Sequence, residues 1–137
     1  MPRTFTLGPV GLVRGGLKVL REARCFYAEG APPAFVEIKP PFRRSLRGTQ
    51  FGSDGMIITW LHRGRRHLQS TYPEDDKTGP RSGVFRTRSP NRPEPMGLHR
   101  RRGTEVRTDG LLVDLLASND GTPIVEVKPV VREVNDA

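Results

Sequence analysis

Apolar positions recur along the chain in short runs of Val, Ile, Leu, Phe and Thr, and Gly and Pro separate the runs where helical spacing would need continuity. Thirteen Pro and fifteen Gly leave little room for a long helix, because Pro cannot donate to a helix ladder. The pattern predicts strands at Phe5 to Val13, Val19 to Tyr27, Phe35 to Ile38, Met56 to His62, Val84 to Thr87, Thr104 to Thr108, Leu111 to Leu116 and Ile124 to Lys128. The second stays open, since Leu17, Leu20 and Arg21 could equally start a helix. Asp109-Gly110 between two runs predicts a tight hairpin, because a type I′ turn needs two residues that tolerate positive φ. Asn119-Asp120-Gly121-Thr122 offers another turn. The last third then reads as an antiparallel meander, and a sheet of this size avoids exposed edges most simply by closing. The expected fold is mostly β: a compact antiparallel β-barrel with little helix, one domain over residues 1–137.

From His67 to Ser82 the chain turns polar and loses any apolar period. This predicts a mobile surface loop, which could be a lid beside a site or a plain connector. No internal repeat or separate linker interrupts the rest.

Composition narrows the function. The net charge of +8 raises the local concentration of polyanions such as nucleic acid, although a basic protein can also bind nothing in particular. Cys25 is the single cysteine, which excludes intramolecular disulfides and multi-cysteine metal sites and fits a reducing cytoplasm. No apolar run approaches the roughly 20 residues of a membrane span, and the N-terminus lacks a signal-peptide stretch, so a soluble, unprocessed protein is expected.

Several familiar chemistries find no support. Neither Gly-rich phosphate motif occurs, His62, His67 and His99 lack metal-ligand spacing, and no G-x-S-x-G elbow marks a nucleophile. The informative stretch is Gly83-Val84-Phe85-Arg86-Thr87-Arg88-Ser89-Pro90-Asn91-Arg92-Pro93-Glu94-Pro95-Met96-Gly97-Leu98, a short strand followed by a turn stiffened by three prolines. Arg88 and Arg92 would project charge from this backbone, with Ser89 and Asn91 adding hydrogen-bonding groups. Read by itself, it is either a rigid polar cradle for a ligand or a Pro-rich loop with solvated arginines.

That stretch resembles the G-V-F-A-T-R-S-P-x-R-P-N-P-I-G-L motif of the TrmO (YaeB/TsaA) family of tRNA methyltransferases, with substitutions at Arg86, Glu94 and Met96. A second block, Asp120 to Pro129, is similar to the family's D-G-T-P-V-L-D-I-K-P-Y, with Val130 where Tyr is expected. Met56 to His62 and Gly8 to Val13 echo two further family elements, and the likeness, to a short form of the family, covers roughly residues 8 to 131. Three departures stand out. The family's P-R-Q element has no counterpart between Leu17 and Pro33, Phe51 to Gly55 replaces its F-S-H-L run, and His99-Arg100-Arg101-Arg102 interrupts the apolar strand expected after Leu98.

The resemblance implies a compact β-barrel that binds S-adenosylmethionine, forms a homodimer and methylates N6 of threonylcarbamoyl-adenosine beside the tRNA anticodon. Carried onto matching positions, the implied cofactor contacts are His62 with Arg63, then Arg88 and Leu98, and the turn Ser118, Asn119, Asp120 and Gly121. Methyl transfer from a sulfonium is an in-line displacement that mainly needs alignment and exclusion of water. A carboxylate could take the proton of an N6 amine late in the reaction, which makes Asp120 and Glu126 the catalytic candidates. Arg100, Arg101 and Arg102 are the leading RNA-contact candidates, on expected strand ends or loops. Arg43, Arg44 and Arg47, and Arg63, Arg65 and Arg66, form further clusters that could track phosphates. Three functions stay open: a tRNA methyltransferase, a methyltransferase acting on another small acceptor, and a basic nucleic-acid-binding barrel without catalysis. No metal and no membrane partner is expected.

Overall fold

Alternating inward apolar and outward polar residues give each strand one dry face, and six such strands cover those faces by closing on themselves. The structure, a computed structural model, describes residues 3–15, 33–49, 54–72, 77–114, 116 and 118–131. The barrel strands are β1 (Gly11–Gly15), β2 (Ala34–Ile38), β3 (Asp54–Trp60), β6 (Met96–Arg107), β7 (Gly110–Val113) and β8 (Pro123–Pro129). They run around the wall in the order β1, β2, β7, β6, β3, β8, every neighbouring pair antiparallel, with β8 closing onto β1. Val13, Val36, Ile38, Ile57, Leu111, Val113, Leu116 and Ile124 fill the interior, each contributing about 1.5–3 kcal/mol relative to exposure. A 3-10 helix, Pro40–Leu46, follows β2. Among the described residues no helix is long and apolar enough to cross a membrane.

The expected mostly-β single barrel is what the chain forms, but several boundaries differ. The first strand begins only at Gly11, where a Cβ would collide with the Glu37 carbonyl across the ladder. Phe5 and Leu7, counted into that strand, are exposed. Val19 to Tyr27 lies outside the described residues. Val84 to Thr87 is not a strand: Val84–Arg86 is a 3-10 turn, because the Val84 carbonyl collects the Thr87 N–H, the Thr87 hydroxyl and the Arg92 guanidinium. The seventh run stops at Val113. Around the loop expected from His67 to Ser82, β4 (Ser70–Thr71) pairs with β5 (Ser82–Gly83).

The largest difference concerns β6. His99 to Arg102 does not break the strand but continues it, since alternation puts Arg100 and Arg102 outside and His99 inside. At buried Gly103 the strand leaves β3 and turns to β7, with a register shift between Gly103 and Glu105. The hairpin that follows turns on Thr108 and Asp109 rather than on Asp109 and Gly110. Gly110 opens β7 instead, where a Cβ would meet the Val36 carbonyl.

Candidate functional site

Three segments meet at one end of the barrel because of how β3, β6 and β8 are paired. Trp60 at the end of β3 faces Met96, where the Pro-rich loop enters β6, and Thr59 faces Ile124, just after the turn that leads into β8. The turn after β3 is fastened onto the Pro-rich loop: Leu61 N–H donates to the Pro95 carbonyl at 2.6 Å and Arg65 N–H to Asn91 Oδ1 at 3.0 Å. Gly64 fits because a Cβ there would strike the Pro90 carbonyl. Arg66 donates to the Pro93 carbonyl at 2.9 Å, pairs with Glu94 and lies over the Trp60 ring.

Within the loop, polar side chains brace backbone. Thr87 Oγ1 accepts from Ser89 N–H at 3.3 Å, Ser89 Oγ accepts from Asn91 N–H at 3.1 Å, and Val84 N–H donates to the Gln69 carbonyl at 3.0 Å. Arg92, expected to project its charge, instead folds back and donates to the Val84 and Thr87 carbonyls, the latter at 2.6 Å. Both bonds leave one terminal guanidinium nitrogen, whose two N–H groups reach the two carbonyls at once. Arg88 is exposed, and among the described residues its side chain has no hydrogen-bond or ion-pair partner.

The turn before β8 is pinned to β1. Gly121, at φ +84°, donates to the Val13 carbonyl at 2.7 Å, and Asp120 Oδ1 accepts from Gly15 N–H at 3.0 Å. Thr122 Oγ1 donates to the Asn119 carbonyl at 2.7 Å. Ser118 Oγ and Asn119 Oδ1 are buried without a hydrogen-bond partner among the described residues. A buried unsatisfied polar atom carries a desolvation cost of about 1–3 kcal/mol, so two in one turn leave capacity for a bound group.

The structure brings His62, Arg63, Arg88 and the Ser118 to Gly121 turn to this end of the barrel, with His62 and Arg63 exposed on the turn after β3. Leu98 lies on the outer wall, 47% exposed, opposite Ile58, whose other cross-strand neighbour is Glu126. Glu126 is exposed on the middle of β8 and accepts from Val127 N–H, whereas Asp120 is engaged in holding Gly15. Among the described residues no group of three or more His, Cys, Asp or Glu could hold a metal.

The Arg100 to Arg102 cluster sits in mid-strand rather than at a strand end or in a loop. Asp54 accepts from Arg100 at 3.2 Å and lies 3.7 Å from Arg102, and Arg102 N–H donates to Asp114. Arg43 is likewise engaged, donating to the Ile38 carbonyl.

Sequence reasoning missed the pair Thr59 and His99. Thr59 is fully buried, and its Oγ1 lies 3.1 Å from His99 Nε2. Gly97 makes room, because a Cβ there would press on both groups. Burial first, then the charges of Arg101 and Arg88, lower the His99 pKa to about 4. Strand alternation carried the signal, since His99 shares the inward face with Gly97.

A closed six-stranded antiparallel barrel, with a braced Pro-rich loop and a pinned turn at one end, defines a small β-barrel protein with a built polar site. A sequence model of the tRNA-methyltransferase O N-terminal domain matches residues 28–136, and the chain belongs to this TrmO family. It is 32% identical over 130 residues to a probable S-adenosyl-L-methionine-binding protein of Pyrococcus horikoshii, covering 90% of this chain and 81% of that one. It is 29% identical over 90 residues to the mouse tRNA (adenine(37)-N6)-methyltransferase, covering 65% of this chain and 21% of the mouse protein. The crystal structure of TrmO from P. aeruginosa superposes with a TM-score of 0.72 at 25% identity over all of this chain, which spans 61% of that protein's length.

Proposed function

We propose that this chain is an S-adenosylmethionine-dependent methyltransferase whose acceptor is N6 of threonylcarbamoyl-adenosine beside the anticodon of tRNA. One observation carries the reading: the family-like loop is braced from within by Arg92 while Arg88 beside it, and the buried Ser118 Oγ and Asn119 Oδ1 at the same barrel end, have no hydrogen-bond or ion-pair partner among the described residues. Those residues fit the cofactor. Arg88 would hold the methionine carboxylate by charged hydrogen bonds, and Ser118 and Asn119 would bond the ribose or adenine. The names of the archaeal and mouse relatives support binding of this cofactor and action on tRNA adenosine.

The bound cofactor would supply an electrophilic methyl group on a sulfonium. The chain's own task is then to align the acceptor amine with that methyl and to keep water out. Its braced loop suits this, because a backbone held by six internal hydrogen bonds or more need not be ordered at the moment of reaction. Of the two candidate carboxylates, Asp120 lies in the turn itself and would take the amine proton, whereas Glu126 lies away from the turn on the middle of β8. A homodimer is part of the same reading: Met96 and Leu98, exposed on one outer wall, suit an isologous contact. Light scattering that gives a monomer mass at tens of micromolar would count against pairing alone.

The test follows a labelled methyl group from S-adenosylmethionine into total tRNA of cells lacking the activity, with digestion to nucleosides. Label in the modified adenosine is expected. Protein that binds the cofactor in calorimetry yet leaves RNA unlabelled would transfer the reading to a small acceptor.

A further inference from the structure

The 3-10 turn Val84–Arg86 holds one residue in an unusual way. Val84 is 3% exposed, and its backbone is fixed by Gln69, Thr87 and Arg92, yet the next residue, Phe85, is 96% exposed. Its neighbours are cationic. Arg86 closes the same turn and Arg88 follows two residues on, while Arg63 lies on the segment that Gly64 and Arg65 fasten against Pro90 and Asn91. Among the described residues Arg63, Arg86 and Arg88 have no ion pair. An aromatic ring held out by a fixed backbone, with arginines close by in the chain that have no ion pair among the described residues, matches what binds single-stranded nucleic acid: a π-face for a base and cations for the flanking phosphates.

We propose that Phe85 is a stacking platform for an unpaired RNA base next to the methylated one, with Arg86 contacting the adjoining phosphate. The proposal rests on the tRNA reading above and adds to it the specificity element for a loop, since only unstacked bases offer a free face. Duplex RNA offers none, so the platform selects single-stranded substrate. The surface is preformed: the Val84 carbonyl has three donors on it, and little backbone ordering is left to oppose binding.

The experiment uses the full chain, labelled oligoadenylate and a duplex RNA of equal length, with S-adenosylmethionine affinity and solution mass measured on every variant. Phe85→Ala should weaken oligoadenylate binding about tenfold or more while duplex binding, cofactor affinity and mass stay unchanged. Phe85→Trp should keep the affinity, and its fluorescence should be quenched by the RNA. Arg86→Ala should reduce the salt slope by roughly 0.7, whereas Phe85→Ala should leave it alone. Equal oligoadenylate affinity of Phe85→Ala and the intact chain overturns the proposal. So does a fall in mass caused by Phe85→Ala, which would assign the ring to contact with a second copy. Either result leaves the tRNA reading standing if the intact chain binds and methylates tRNA; an intact chain that binds no RNA ends both.

Discussion

Two arginine-rich regions of the molecule look alike in sequence and differ in the fold. Arg100 to Arg102 is the densest basic run, yet it lies within a strand, and Asp54 sits against Arg100 and Arg102 from the neighbouring one. The Pro-rich loop has its arginines spaced out, and there Arg92 disappears into the backbone while Arg86 and Arg88 stay exposed, without ion pairs among the described residues. The number of charges in a run is therefore a poor guide to how much field it offers a partner. Cross-strand and cross-loop acceptors decide that, and they come from elsewhere in the chain.

The largest expected effect concerns His99, whose pKa is depressed by Arg101 from one region and by Arg88 from the other, after burial itself. The folded state holds the ring neutral to about pH 4, whereas the unfolded chain takes up a proton near the ordinary value of 6.5. Stability is therefore unaffected by this group above about pH 6.5 and falls as the pH drops from there to about 4, by at most about 3 kcal/mol. Thermal unfolding between those limits should show the loss, and His99→Gln should remove it. An identical acid limb in that variant would show that carboxylates alone set it.

Next in size is the contrast inside the loop. Arg92→Ala should destabilise the fold by about 1.5–3 kcal/mol, since it strips a charged donor from the Val84 and Thr87 carbonyls. Arg88→Ala should change stability by less than about 0.5 kcal/mol but weaken S-adenosylmethionine binding by about tenfold or more. Denaturant unfolding with calorimetry separates the two, and the reverse outcome would exchange the roles assigned to these arginines.

How far the sequence could be read follows the same division. Strand positions such as Val36, Ile57 and Ile124 were legible because period-two alternation is local. The turn at Gly121 was legible because positive φ selects glycine. The family-like loop was legible as a unit through resemblance. What stayed hidden depended on distant partners: the inward fold of Arg92, the continuation of β6 through four polar residues, and the Thr59 and His99 contact across β3 and β6. Asp109-Gly110 misled because its glycine answers a steric need against Val36 rather than a turn.

The smallest expected effect is also the most direct attempt to erase the difference between the two regions. Asp54 is the carboxylate that holds Arg100 and Arg102, all three partly exposed. Asp54→Asn keeps the shape and removes the charge, so Arg100 and Arg102 on the outer wall of β6 should lose the carboxylate that pairs them. Exposed pairs contribute only about 0.2–1 kcal/mol, so the stability loss should stay within that range. If neutralisation is what silences this cluster, tRNA binding by the variant should become steeper in salt, by up to about one unit per cation that newly reaches a phosphate. Affinity at low salt should rise with it, while S-adenosylmethionine binding is unchanged. If the slope does not move, Arg100 and Arg102 lie away from the path of the RNA, and the difference between the regions is one of position rather than of charge pairing.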